Sequence, residues 1–144
     1  MAPSSCLRGY NGLIEEWQAW QEKARENLDS ARGDLSAGRW NACARSAYYA
    51  CYQAAIAALM KEGILDTYGK WSHSFVQASF AEQLVQRRKV YPSSLRTVLS
   101  ENSNLRLRAD YSPDTVSQRA ARGAVRRAEQ FLREIQGRLV QGRE

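Results

Sequence analysis

A chain of 144 residues and 16.3 kDa suits one domain on one core. Its 44% hydrophobic and 25% charged residues, with nine Gly and three Pro, exclude a disordered, collagenous or turn-rich β-protein. The net charge of +6 arises wholly after residue 72, where 13 basic side chains face 7 acidic ones, against 8 and 8 before it, and Arg outnumbers Lys 17 to 4.

The first predicted helix runs from Leu13 to about Ala37, with Leu13, Trp17, Trp20, Ala24, Leu28, Ala31 and Leu35 at spacings of three and four, the signature of one buried face. Gly38 is its expected stop. A second helix is expected over Arg39–Lys61, with the stripe Trp40, Ala44, Ala47, Tyr48, Cys51, Ala55, Ala58 and Leu59 and a stop at Gly63. The loop 63–71 leads to a shorter third helix that opens at Ser72 or Ser74, carries Phe75, Val76, Phe80 and Leu84, and ends in the basic run Arg87, Arg88 and Lys89.

Pro92 marks the start of a fourth helix with Leu95, Val98, Leu99, Leu105 and Ala109 inward; its run Ser100 to Asn104 is poor in helix formers. Ser112, Pro113 and Asp114 read as cap, first turn and dipole complement of a last helix over about 114–139. Its apolar side carries Val116, Ala120, Ala124, Ala128, Phe131, Ile135 and Leu139. No alternating run of strand type occurs, so the predicted fold is an all-α antiparallel up-and-down bundle of four long helices and one short. It fills a single domain over 1–144, with its core at about 13–139 and flexible ends at 1–11 and 140–144.

Cys43 and Cys51 would lie roughly 12 Å apart along one helix, too far to bridge, and an odd count of three with Cys6 fits a reducing compartment. Met1 to Cys6 has no apolar segment of signal-peptide type. The most apolar stretch, Ala42–Met60, holds Arg45, Ser46 and Gln53, too polar for a membrane span. A cytoplasmic protein without membrane contact is the expectation.

One histidine, His73, and no paired cysteines leave no zinc-type ligand set, and no phosphate-cradling Gly-rich loop or nucleophile elbow occurs; neither a metal nor another cofactor is expected. What remains is Arg106-Leu-Arg108-Ala-Asp110-Tyr111. Arg106 and Asp110 face the same way at a step of four, as do Arg108 and Tyr111 at three. That spacing fits an ion pair beside an Arg stacked on a ring, and it equally fits a phosphate-binding cluster that offers a phenol. A second polar group, Asn41, Arg45, Tyr48, Tyr49 and Tyr52, interrupts the apolar second helix; its Arg must be paired or face a cleft.

The combination Ala44-Arg-Ser-Ala-Tyr-Tyr-Ala50, Ser72-His-Ser and Arg106-Leu-Arg-Ala-Asp-Tyr111 resembles the HEPN domain family, above all small prokaryotic members encoded beside minimal nucleotidyltransferases. The resemblance covers roughly 14–138. It implies a dimerising bundle of four or five helices, often a metal-independent ribonuclease acting as a toxin, with an Arg-x4-6-His motif at the dimer interface. Tyr111 stands where that motif has His, as in the Arg…Ala-Asp-Tyr subgroup, and a phenol with a pKa near 10 is a poor general base at neutral pH.

On that resemblance Arg106, Asp110, Tyr111 and His73 are candidate catalytic residues, and Arg108, Arg45, Tyr48 and Tyr49 candidate nucleotide or RNA contacts. Two functions stay open. One is a ribonuclease toxin; the other is a non-enzymatic partner of a minimal nucleotidyltransferase that binds nucleotide or accepts AMP on Tyr111. A homodimer is implied by either, and an Arg-rich last helix that merely binds RNA is a third reading.

Overall fold

The computed structural model describes residues 2–66 and 68–141, with side chains described for residues 16–66 and 68–140. Five α-helices follow in order: α1 (Ala2–Ala37), α2 (Trp40–Lys61), α3 (His73–Ser79), α4 (Val98–Tyr111) and α5 (Gln118–Gln141). No strand occurs among the described residues.

α1 starts at Ala2, well before the expected Leu13. Pro3 falls in its first turn, where a missing N–H costs nothing, and no further proline interrupts it. The helix is therefore 36 residues and about 54 Å long. Of the ends expected to be flexible, residue 1 and residues 142–144 lie outside the described residues. Gly38 (φ +79°) and Gly63 (φ +78°) end α1 and α2 in the left-handed region, which costs glycine least.

α2 is the centre of the bundle and packs against α1, α3, α4 and α5. Its predicted stripe is buried except for the partly exposed Trp40, yet thirteen of its residues are buried in all, the run Ala54–Met60 without interruption. The small alanine side chains let neighbours close in from several sides, so burial extends well past one face. Cys43 and Cys51 are free and buried.

Ser72, not Ser74, caps α3: its Oγ accepts from Phe75 N–H at 3.2 Å. After Ser79 the chain continues in wider π-helical turns over Phe80–Arg87, with Phe80, Leu84 and Val85 buried. A periodicity of 3.6 could not reveal this stretch. The expected start of the fourth helix at Pro92 is a short 3-10 turn, Ser93–Leu95, with α4 following at Val98.

The last helix starts at Gln118, four residues later than Asp114. Ser112 Oγ accepts from Asp114 N–H within the loop, and Ser117 Oγ accepts from Ala120 N–H to cap α5. Asn41 Oδ1 takes the N–H of Val116 at 2.9 Å, which holds the loop on α2. Asn102, in the stretch expected to be weakly helical, is fully buried. It donates to Ala124 O and Cys51 Sγ and accepts from Arg127 Nε at 2.8 Å.

Candidate active site

Three elements meet at the start of α3. Tyr52 follows Tyr48 by four residues and Tyr49 by three on α2, so it shares a side of the helix with each, and the ring of His73 stacks on Tyr52 and Tyr48 at centroid distances of 4.5 and 5.5 Å. Tyr52 donates its hydroxyl hydrogen to Trp71 O, which fixes the loop that delivers His73. From α4, the Arg106 guanidinium lies 5.0 Å from the Tyr48 ring centroid and 5.8 Å from that of Tyr49, cation–π distances.

Arg106 is only 13% exposed and lies 3.6 Å from Asp110, whose other oxygen accepts from Arg45 Nε at 2.7 Å. One carboxylate thus joins a guanidinium of α2 to one of α4. Arg106 Nε is buried with no hydrogen-bond partner among the described residues.

Tyr48 Oη and His73 Nδ1 are 2.5 Å apart, and Gln77 Nε2 donates to the same oxygen at 3.3 Å. Burial raises the Tyr48 pKa, against smaller lowering effects of Gln77 and Arg106; the phenol is protonated at neutral pH. In the tautomer in which the phenol donates to Nδ1, His73 carries its own hydrogen on Nε2. Burial, then the nearby Arg106 charge, lowers the His73 pKa from 6.5, which keeps the ring neutral. The cluster therefore presents two donors, a guanidinium and an imidazole N–H, a set that stabilises charge on phosphate oxygens.

The structure thus brings Arg45, Tyr48, Tyr49, His73, Arg106 and Asp110 together. It leaves Arg108 exposed and Tyr111 on the outside of α4, 78% exposed. Tyr111 follows Arg106 at a step of five helical residues, a rotation of roughly 140°, so the two side chains leave α4 on different sides. Gln77 was missed by sequence reasoning; its step of four from His73 was the available signal. Among the described residues no group of three or more His, Cys, Asp or Glu could hold a metal ion, and no helix is long and apolar enough to cross a membrane.

The HEPN domain family model matches residues 17–138: the chain belongs to this family, as the all-helical fold anticipates. It is also 27% identical over 135 residues, 88% of this chain and 91% of the relative, to a curated protein of Methanocaldococcus jannaschii named "Putative toxin MJ0605".

Proposed function

We propose that this HEPN protein is a toxin-type ribonuclease that works without a metal, with Arg106 and His73 as its phosphate-handling pair. The observation that supports this is the convergence of both on Tyr48: two donors from helices 33 positions apart in sequence lie against one buried phenol ring. Arg106 stabilises charge developing on the scissile phosphate; Asp110, bridged to Arg45, orients it; the His73 N–H donates to a phosphate oxygen. Tyr49 and Arg45 border the place where a nucleotide would sit. The 27% identical relative named as a toxin supports the biological setting.

Cleavage of RNA by purified protein tests this directly. Arg106→Ala is expected to lower the rate at least 100-fold, in the range seen when one charge-stabilising donor is removed, and His73→Gln about tenfold. Cleavage should persist in EDTA. Equal cleavage by wild type and Arg106→Ala rejects the reading.

A second reading rests on the exposure of Tyr111, 78%, beside the exposed Arg108. Here the chain is the partner of a minimal nucleotidyltransferase antitoxin, and a homodimer presents two such phenols. The Tyr111 oxygen attacks the α-phosphorus of ATP, pyrophosphate leaves with the electron pair, and the transferase takes the phenol proton. The added negative charge then faces Arg108. Incubation with an active transferase and ATP should raise the intact mass by one or more AMP units, and Tyr111→Phe should stop it; an unchanged wild-type mass rejects this reading.

A further inference from the structure

The outer side of α5 carries a charge pattern that the Arg106 cluster does not use. Arg119, Arg122, Arg126 and Arg133 are all exposed and fall within about 60° of one another around the helix, along about 21 Å of its length. Ala121, Ala124, Ala128, Phe131 and Ile135 are buried on the opposite side. The same helix shows what a neutralised arginine looks like. Arg127 donates to Asn102 and lies 3.7 Å from Glu101, and Arg138 lies 3.3 Å from Glu62. Among the described residues the four outer arginines have no such partner.

The arrangement works against the isolated helix. α5 has no acidic residue in its first turn, where the macrodipole favours anions and opposes the Arg119 charge. Arg119 with Arg122, and Arg122 with Arg126, are like charges at steps of three and four, which repel. A folding requirement alone would place mixed charges here. A linear polyanion along the helix would relieve both penalties, and guanidinium groups in a row match a sugar–phosphate backbone.

We propose that the outer arginine row of α5 is a docking surface for the phosphate backbone of RNA, separate from the Arg106 cluster, which it supplies with substrate. Binding there is independent of sequence and strongly weakened by salt. This rests on RNA being the ligand of the proposed function, but not on Arg106 cleaving it.

The test uses a fluorescent single-stranded RNA with 2′-O-methyl riboses, which lacks the attacking hydroxyl, so binding is read apart from cleavage. Affinity is measured by anisotropy between 50 and 300 mM KCl. With all four arginines changed to Gln, the slope of log affinity against log salt should fall in magnitude by about 3, near 0.7 for each lost single-strand contact. A charge-matched control with Lys23, Arg25, Arg39 and Lys70 changed to Gln should keep the slope within one of wild type. Should the fourfold variant fail to fold by circular dichroism, Arg122→Gln with Arg126→Gln should lose about half as much. Equal losses in variant and control, no loss in either, or no RNA binding by wild type at 50 mM salt each overturn the proposal. RNA binding that needs the row, in a protein that never cleaves RNA, would reject the ribonuclease reading and leave the row standing.

Discussion

The hydroxyl of Tyr48 meets Nδ1 of His73 at 2.5 Å, so a fully buried phenol of α2 holds the ring of the first residue of α3 in the burial, and near the Arg106 charge, that lower its pKa. Folding holds His73 below its ordinary pKa of 6.5, and the unfolded chain therefore takes up a proton first as pH falls. The contribution is fully present above pH 6.5 and is lost as pH falls from 6.5 towards the folded-state value. The urea midpoint of wild type should drop more between pH 7.5 and 5.5 than that of His73→Gln. Parallel drops would refute the assignment.

Asn102 connects three elements from a fully buried position. Asn102→Ala removes the 2.8 Å acceptor of Arg127, leaving it Glu101 at 3.7 Å, and takes away the amide that adds to the helical bond of the Ala124 carbonyl. A loss of about 2–4 kcal/mol is expected, measured by urea unfolding; a loss under about 1 kcal/mol would show that water replaces the side chain.

Both α2 thiols should be inert. Burial pushes the Cys43 thiol up to about 11, with Asp34 adding to the effect, and Cys51 up to about 12 against the smaller lowering effects of Asn102 and Arg127. At pH 8 almost no thiolate forms at either position. Iodoacetamide labelling followed by peptide mass mapping should find both unmodified in the native protein and both modified in urea; rapid native labelling at either would count against this packing.

Two glycines of α1 and its stop should respond in opposite ways to alanine. Gly33 is helical with nothing within 4 Å of an added Cβ, and Gly33→Ala should stabilise by about 1 kcal/mol. At Gly38 an added Cβ meets the Trp40 ring at an ordinary 3.8 Å, so the left-handed backbone is the whole obstacle. Gly38→Ala should cost about 1–2 kcal/mol. Thermal melts of the two variants would show it, and shifts of the same sign would contradict the backbone geometry.

The helices were legible because their burial repeats at helical spacing: Trp17, Ala24, Leu28 and Ala31 are buried as their steps require. The run Ser100–Asn104, weak in helix propensity, is helical as expected, and the partners that hold its Asn102 lie on α2 and α5. Local propensity misled at Pro113, since Ser112 and Ser117 are equally good caps and the bond from Val116 to Asn41 selects the later start. At the candidate site, Arg106 and Asp110 were readable as neighbours on one helix. The Arg45–Asp110 pair, 65 residues apart, was not, because spacing carries no information across elements. The same limit hid Gln77, which matters only through a hydroxyl on α2.

The alanine run of α2 has a consequence for how this molecule tolerates change. Alanine freezes no rotamers on burial, so the central rod is enclosed at little entropic cost. By the same token its alanines have no side-chain torsion with which to yield, and an extra methylene at one of them strains the close packing around it. Enlarging Ala54, Ala55, Ala57 or Ala58 therefore strains the rod that every other helix leans on, since each is fully buried.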